Sequence, residues 1–425
     1  MPFTRERGAC AVPLPLLTKS GRAIVERRFA PQKLAIVSTH PIQYHAHWFR
    51  ALAARPEIDL HVFYSYYASP AGQSRAGFGV EFDWDIPLLE GYRYTFLNGA
   101  AKKPKGVLAL SSSGLSQIIA AGDHDVVLIN GWHYRAAWEA IFACWKARLP
   151  VMVRGDSQLA SPRGYLKQLA KYPVYRFFIP RLDACLAVGT RSRDYYLHYG
   201  AAPERIFQVP HTIEDSLFGR AAAEVQRQRN SLRQQWGLQD RQTVFLYAGK
   251  FIEKKRPMDF LRAIEAAFGQ EPTIAGLMVG DGPLRADCER FVSSRHLPVY
   301  FTGFLNQSRI MEAYVAAECL VLPSDETWGL VVNEAMSCSR PVLVSDVVGC
   351  APDLVRNGET GAIFPLGDLE ALADVIVKLA RNPEHLHAMG ESARRWLRPY
   401  SLEAAVQGVV DAVKAVTLNT PRKKS

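Results

Sequence analysis

"RAAAEVQRQRNSLRQQWGLQD" (residues 220–240) is polar, rich in helix formers and nearly free of β-branched residues, and the chain reads alike on both sides of it. Before it, short β-branched runs alternate with helical stretches: "KLAIVS" (33–38), "DLHVFY" (59–64), "DVVLI" (125–129), "PVMVR" (150–154), "DACLAV" (183–188) and "IFQVP" (206–210). After it the same rhythm restarts with "TVFLYAG" (243–249), "TIAGLMVG" (273–280), "VYFTG" (299–303), "CLVLP" (319–323), "PVLVS" (341–345) and "GAIF" (361–364). Continuous apolar runs of this length, separated by helices, predict strands buried on both faces of a parallel sheet. The restart predicts two such sheets, hence an α/β protein of two doubly wound, Rossmann-like domains facing a central cleft. Ligands of such folds collect at the carboxyl ends of the strands.

The length of 425 residues agrees, being too great for one core. The expected division is a flexible basic extension over 1–30, a first domain over 31–222, a second over 223–395, and a C-terminal helix in 396–425 that packs back on the first domain before a basic tail. No apolar run is long enough to span a bilayer, and charges interrupt any signal-peptide core near the start, which predicts a cytoplasmic protein. Seven scattered cysteines without a Cys-x-x-Cys pair predict reduced thiols rather than a disulfide framework or a zinc site. A net charge of +10 predicts attraction to something anionic: a nucleotide, an acidic lipid surface or a nucleic acid. No nucleic-acid recognition motif accompanies it, so nucleic acid is not expected as a partner.

Four stretches at predicted strand ends of the second half carry chemistry. "SDETWGLVVNEAMSCSRPVLVSD" (324–346) reads as a loop, a helix from about Gly329 to Cys338 and a buried strand. The first amides of that helix lack internal partners and carry partial positive charge, so Gly329 and Leu330 are candidates to hold a phosphate. Glu334 would then lie about one turn inward, within reach of a sugar on that phosphate. An ordinary amphipathic helix with solvated acids is the competing reading. In "LYAGKFIEKKRP" (246–257), Lys250 and Lys255 follow Gly249 in one loop, and two ammonium groups there suit a diphosphate. "MVGDGPL" (278–284) places Gly280 and Gly282 in a turn between strand and helix, and "VSDVVGCAPDLV" (344–355) repeats that pattern. Four such loops on one rim favour a common ligand.

These stretches, with "FTGFLNQSRIMEAY" and "GLVVNEAM", resemble the donor domain of the retaining glycosyltransferases of family 4, over roughly residues 243–395. Two glutamates eight apart, Glu326 and Glu334, are the family's Glu-x7-Glu element. The first half is similar more loosely, through "VSTHPIQYHAHWFRALA" and "VGTRSRDYYLHYGAAPERIFQVPHT". The resemblance implies the GT-B fold and a nucleotide-diphospho-sugar donor whose ribose is held by Glu334 and whose sugar is touched by Glu326. It implies that Gly329, Leu330, Lys250 and Lys255 hold the diphosphate, and that His133, in "LINGWHYRAAW", matches an active-site histidine. Catalysis would be metal-independent and use no cofactor. Lys250 stands where the family often has arginine, which keeps the charge but loses the two-pronged geometry. On the acceptor side the candidates are His40, Tyr44, Arg154, Asp156 and His211, with a glycan, a glycolipid or a small molecule as acceptor.

Other signals are discounted. Asp-x-Asp occurs in "FDWDI" (82–86) and "DHDVV" (123–127), at a frequency chance accounts for. "RGDS" (154–157) reads as a strand end lining the cleft. The histidines of "THPIQYHAHW" (His40, His45, His47) lack a completing ligand for zinc. "SPRGYLKQLAKYPVYRFFIPRLD" (161–183) interleaves five basic residues with aromatics, so peripheral contact with an anionic membrane competes with ordinary packing. The alternatives to a transferase are a nucleotide-sugar epimerase of GT-B-like fold, which needs an acid poised for proton abstraction, and a non-catalytic basic binder at a membrane surface.

Overall fold

The computed structural model describes residues 30–69, 79–97, 114–121, 123–159 and 165–418. The expected N-terminal extension, residues 70–78 and residues 98–113 lie outside the described residues.

Two parallel sheets organise the chain. The first contains β1 (Gln32–Ser38), β2 (Ile58–Tyr64), β3 (Arg93–Phe96), β4 (Val126–Asn130), β5 (Val151–Gly155), β6 (Ala184–Ala187) and β7 (Ile206–Gln208), in the order β3-β2-β1-β4-β5-β6-β7. The second contains β8 (Thr243–Ala248), β9 (Ile274–Val279), β10 (Val299–Gly303), β11 (Cys319–Leu322), β12 (Val342–Ser345) and β13 (Gly361–Phe364), in the order β10-β9-β8-β11-β12-β13. This is the doubly wound pair that the alternation predicted. Central strands are apolar along their whole length because helices cover both faces: all six residues of β9 are buried. Strand β3 escaped the sequence reading. Its "RYTF" lies at the sheet edge with three of four residues exposed, so no apolar run betrays it.

Each sheet starts near its middle, runs outward, then returns to continue on the other side. The reversals fall between β1 and β4 and between β8 and β11. Loops leaving the carboxyl ends of two such strands diverge and open a crevice between them. His40 and His133 therefore follow one switch point, and Lys250 and Glu326 the other.

The polar stretch between the sheets is bound down. Arg233 has no exposed surface, and donates to the carbonyls of Ala316 (3.0 Å), Gln239 (2.6 Å) and Gln242 (2.6 Å). Glu318 accepts from Arg233 and Arg229 and from the Val244 amide, which ties the stretch to the first residues of β8 and β11. The boundary placed after residue 222 falls inside the helix Asp215–Val225. Phe218 and Ala222 of that helix share a core with Tyr314, Val332 and Met336, so by packing the helix belongs to the second domain.

The last helix, Leu402–Leu418, returns to the first domain. Val406, Val409, Val410 and Val413 are buried among Trp48, Phe49, Leu60 and Val209. At about 1.5 kcal/mol for each buried valine, an upper-bound bookkeeping, this seam is a major tie between chain end and first sheet. Gly408 makes the approach close, since a Cβ there would lie 2.0 Å from the Gln208 carbonyl oxygen.

Candidate active site in the interdomain cleft

The second-domain wall is built from loops zipped backbone to backbone. The buried Tyr247 hydroxyl donates to the carbonyls of Lys250 (3.0 Å) and Lys255 (3.3 Å), folding the loop after β8 back over its own strand. Gly280 and Gly282 have φ of +127° and +152°, and a Cβ on them would lie 2.0 Å from the Gly249 oxygen and 2.7 Å from the Phe251 oxygen. Their lack of a side chain is used in bringing two loops together, a shaping part that the sequence reading did not separate from ligand contact. Gly249 sits at the end of β8 between them, and Lys250 lies half-buried beside it.

The loop after β11 brings the charged groups together. Lys255 Nζ forms an ion pair with Glu326 Oε1, which also accepts from Ser324 Oγ at 2.9 Å. The proposed diphosphate cation and the proposed sugar contact are thus partners in this structure. Gly329, with φ +103°, begins the helix Leu330–Ser337, and Val332 N donates back to Gly329 O at 2.9 Å. The helix start is pinned from outside: Gly349 N donates to Glu326 O and Cys350 N to Trp328 O. No side chain fits at Gly349, where a Cβ would lie 1.8 Å from Thr327 O.

Glu334 is not a solvated acid. Its residue is 1% exposed, with Oε2 accepting from the Tyr314 hydroxyl at 2.7 Å and Oε1 from the Tyr44 hydroxyl at 2.9 Å. Burial pushes its carboxyl above the ordinary glutamate range, and the Tyr314 and Tyr44 phenols, with the Gln307 side chain, draw it part of the way back. Tyr44, a candidate for the acceptor side, reaches across the cleft to the Glu334 carboxylate. Tyr314 was not anticipated at all, because nothing in "IMEAY" marks its ring as pointing at a residue twenty positions on.

On the first-domain wall, Arg154 at the end of β5 is buried. It donates to Val209 O (3.4 Å), Pro210 O (3.0 Å) and His211 Nδ1 (3.2 Å), and lies over the Trp48 ring at 4.6 Å. Burial lowers its pKa to about 10, so it remains a cation at neutral pH. His211 accepts at Nδ1 and is held well below the usual histidine range by burial and by that cation. Its Nε2 lies 3.9 Å from Asp156 Oδ2, which accepts from Thr327 Oγ1 at 2.6 Å. Arg154, His211 and Asp156 are thereby brought into one chain that crosses to the second domain. Gln158 crosses beside it, donating to Glu326 O (3.1 Å) and Val347 O (3.2 Å) while accepting from Arg191 (3.0 Å).

The remaining candidates separate. His40 Nδ1 is 3.0 Å from Thr39 Oγ1, and its ring stacks on Tyr66 at 4.9 Å. His133 follows β4 and is exposed at the rim. Among the described residues no group of three or more His, Cys, Asp or Glu is arranged to hold a metal ion. Each Asp-x-Asp has another part. Asp83 O accepts from Asn306 (2.7 Å) and Asp85 from the Ser308 amide (3.1 Å), while Phe82 packs on Phe304 at 4.3 Å, so "FDWDI" straps the first domain to the second. Asp123 and Asp125 bind Lys33 at the opposite end of the sheet from the cleft.

The basic aromatic helix Tyr165–Phe178 divides by side. Tyr175 and Phe178 pack on Trp138, and Lys171 lies over the Tyr175 ring at 4.4 Å. Tyr172, Val174 and Phe177 are exposed, and Arg181 stacks on Phe177. No described helix is long and apolar enough to cross a membrane.

The buried His47 and the half-buried His45 and His211 make acid stability testable. Burial is the leading cause that lowers His45, His47 and His211, taking His47 from 6.5 to about 4. A histidine lowered in the fold stabilises it fully above pH 6.5, and that contribution is lost as pH falls towards 4. Buried Asp183, Asp353 and Glu334 are shifted upward and act in the opposite sense above their unfolded values. The comparison is therefore made between variants: His47→Gln should flatten the pH dependence of urea stability across this window, by at most about 3 kcal/mol. An unchanged slope would place the protons elsewhere.

Comparison with known proteins supports the same picture. Residues 228–396 match the family model for glycosyl transferases group 1. The alpha-D-kanosaminyltransferase of Streptomyces kanamyceticus is 30% identical over 235 residues, covering 54% of this chain and 60% of that protein. A D-inositol 3-phosphate glycosyltransferase of Rhodococcus jostii is 30% identical over 252 residues, covering 56% and 53%. The chain thus spans between 53% and 60% of the length of these curated relatives. Among solved structures, Anabaena HepE in complex with UDP and glucose aligns over 90% of this chain and 99% of its own, with a TM-score of 0.66 at 15% identity. The sucrose-phosphate synthase of Thermosynechococcus elongatus aligns over 91% and 99%, with a TM-score of 0.66 at 20% identity. The fold is GT-B.

Proposed function

We propose that this chain is a glycosyltransferase that moves a sugar from a nucleotide-diphospho-sugar to an acceptor hydroxyl, with retention at the anomeric carbon and without a metal. The observation that carries this reading is the grouping at one switch point of Lys250, the Lys255–Glu326 pair, the helix start at Gly329 and the buried Glu334. Cations and the amides of a helix start lie together where a diphosphate would sit, and two carboxylates lie where hydroxyls of its ribose and sugar would extend. The match to group 1 glycosyl transferases covers these residues, and HepE of the same fold was crystallised with UDP and glucose.

In this reading the departing diphosphate accepts the acceptor's proton on the face that is attacked. The chain's own contribution is electrostatic: Lys250, Lys255 and the helix amides stabilise charge on the leaving group. The two glutamates of this grouping are not acids poised as bases, which an epimerase needs. Glu326 is paired with Lys255, and both oxygens of Glu334 are taken by phenols. The exposed Tyr172, Val174 and Phe177 beside Arg181 favour a glycolipid acceptor met at an anionic membrane surface over a freely diffusing one.

The test is a panel of UDP-, GDP- and ADP-sugars with pooled glycan, glycolipid and small-molecule acceptors, in the presence of EDTA. Nucleoside diphosphate should be released from one donor class, faster with acceptor and unaffected by the chelator. Epimerised donor without acceptor would select the epimerase. Turnover lost to EDTA and restored only by Mn²⁺ or Mg²⁺ would overturn the metal-independent site.

A further inference from the structure

Both oxygens of Glu334 accept from a phenol, with the Gln307 side chain also beside the carboxyl, and the two phenols differ in kind. Tyr314 belongs to the second domain, is fully buried, and sits in the core shared with Val332 and Met336. Tyr44 belongs to the first domain, at the start of the helix Gln43–Ala53, is half-buried, and reaches Oε1 across the cleft. Removing Tyr314 from the carboxylate would unpack a core. Tyr44 is only partly buried at the edge of that core, so withdrawing its hydroxyl disturbs less packing than withdrawing Tyr314.

A vicinal diol presents two O–H donors side by side, and Oε1 is the acceptor that a ligand entering from the cleft can reach without disturbing Tyr314. Resting on the reading of Glu334 as the ribose holder, we infer that Tyr44 is a donor-site residue whose hydroxyl stands in for a ribose hydroxyl, so that Tyr44 and the nucleotide compete for Glu334 Oε1. The arrangement has a physical reason. A carboxylate buried with an unfilled acceptor site is costly, and a phenol from the facing domain satisfies it while the site is empty. The contact is one of several across the cleft. The bonds from Gln158 to Glu326 O and Val347 O and from Thr327 to Asp156 do not involve Glu334, so its exchange leaves the domains joined.

Competition of this kind lowers nucleotide affinity, and the loss is returned when the hydroxyl is deleted. Calorimetric titration of the full chain with UDP, GDP and ADP identifies which diphosphate the parent binds. Tyr44→Phe, which keeps the ring, should bind that diphosphate at least about fivefold more tightly. The same two proteins should bind its dideoxy counterpart, which lacks both ribose hydroxyls, with equal affinity. Tyr44→Leu serves as a second variant should the phenylalanine disturb the fold, with the same direction expected. Equal or weaker binding of the ribonucleotide by a folded variant would overturn the inference and leave the donor reading standing. An equal gain for the dideoxy compound would also overturn it, because the effect would not pass through the diol. A parent that binds none of the three diphosphates removes the ribose reading itself, and the inference with it.

Discussion

Replacing Lys255 by alanine should cut affinity for the bound nucleoside diphosphate by roughly 10- to 150-fold, while affinity for the bare nucleoside stays within about twofold. A hydrogen bond to a charged group contributes roughly 1.5–3 kcal/mol, and each 1.4 kcal/mol is tenfold. The structure adds a second cause. Lys255 is the counter-charge of Glu326, whose side chain is 13% exposed and otherwise accepts from Ser324. Without the ammonium, an unneutralised carboxylate remains beside the diphosphate and repels it. The double variant Lys255→Ala with Glu326→Gln should therefore bind diphosphate more tightly than Lys255→Ala alone, and calorimetry on the four proteins of the cycle measures the coupling. Equal affinity of Lys255→Ala and parent would remove this lysine from the site.

Glu334→Gln should weaken nucleoside diphosphate binding by about tenfold or more and leave the melting temperature unchanged or slightly raised. The two halves have one origin. Burial opposes ionisation of this carboxyl, so its charged form is costly to the fold and a neutral isostere sheds that cost. The amide offers a single acceptor oxygen and no charge, so a diol held by the carboxylate loses its stronger partner. A lower melting temperature with unchanged affinity would make Glu334 a structural anchor for Tyr44 and Tyr314. Glu326→Gln should behave differently, with diphosphate affinity nearly retained and turnover depressed, because a contact to the transferred sugar that strengthens in the transition state is read in kcat.

Much of the molecule was legible from local pattern. Buried parallel strands must be apolar throughout, so "TVFLYAG" and "CLVLP" announced themselves, and the restart after residue 240 announced a second sheet. The helix predicted from about Gly329 to Cys338 is the helix Leu330–Ser337. Its glycine start and the spacing of Glu326 and Glu334 lie within one short stretch, which is why they were readable together. Ser324, two residues before Glu326, was within the same stretch and was overlooked.

Only the tertiary structure decided who meets whom across the cleft. Tyr44 and Glu334 are 290 residues apart, Gln158 and the Glu326 carbonyl 168, and Asn306 and the Asp83 carbonyl 223. Periodicity reports which face of an element is buried; it carries no record of the partner on another domain. For the same reason the boundary at residue 222 cut a helix whose allegiance is set by Phe218 and Ala222 packing on the second domain. The edge strand β3 was invisible because its residues are exposed and it needs no apolar signature to pair with β2. The sequence by itself determined two parallel sheets and the loops that bear charge. The folded chain decided that Glu334 is buried, that Lys255 is paired and that Tyr44 meets Glu334 across the cleft, because burial and pairing are set by what distant parts of the chain place opposite each side chain.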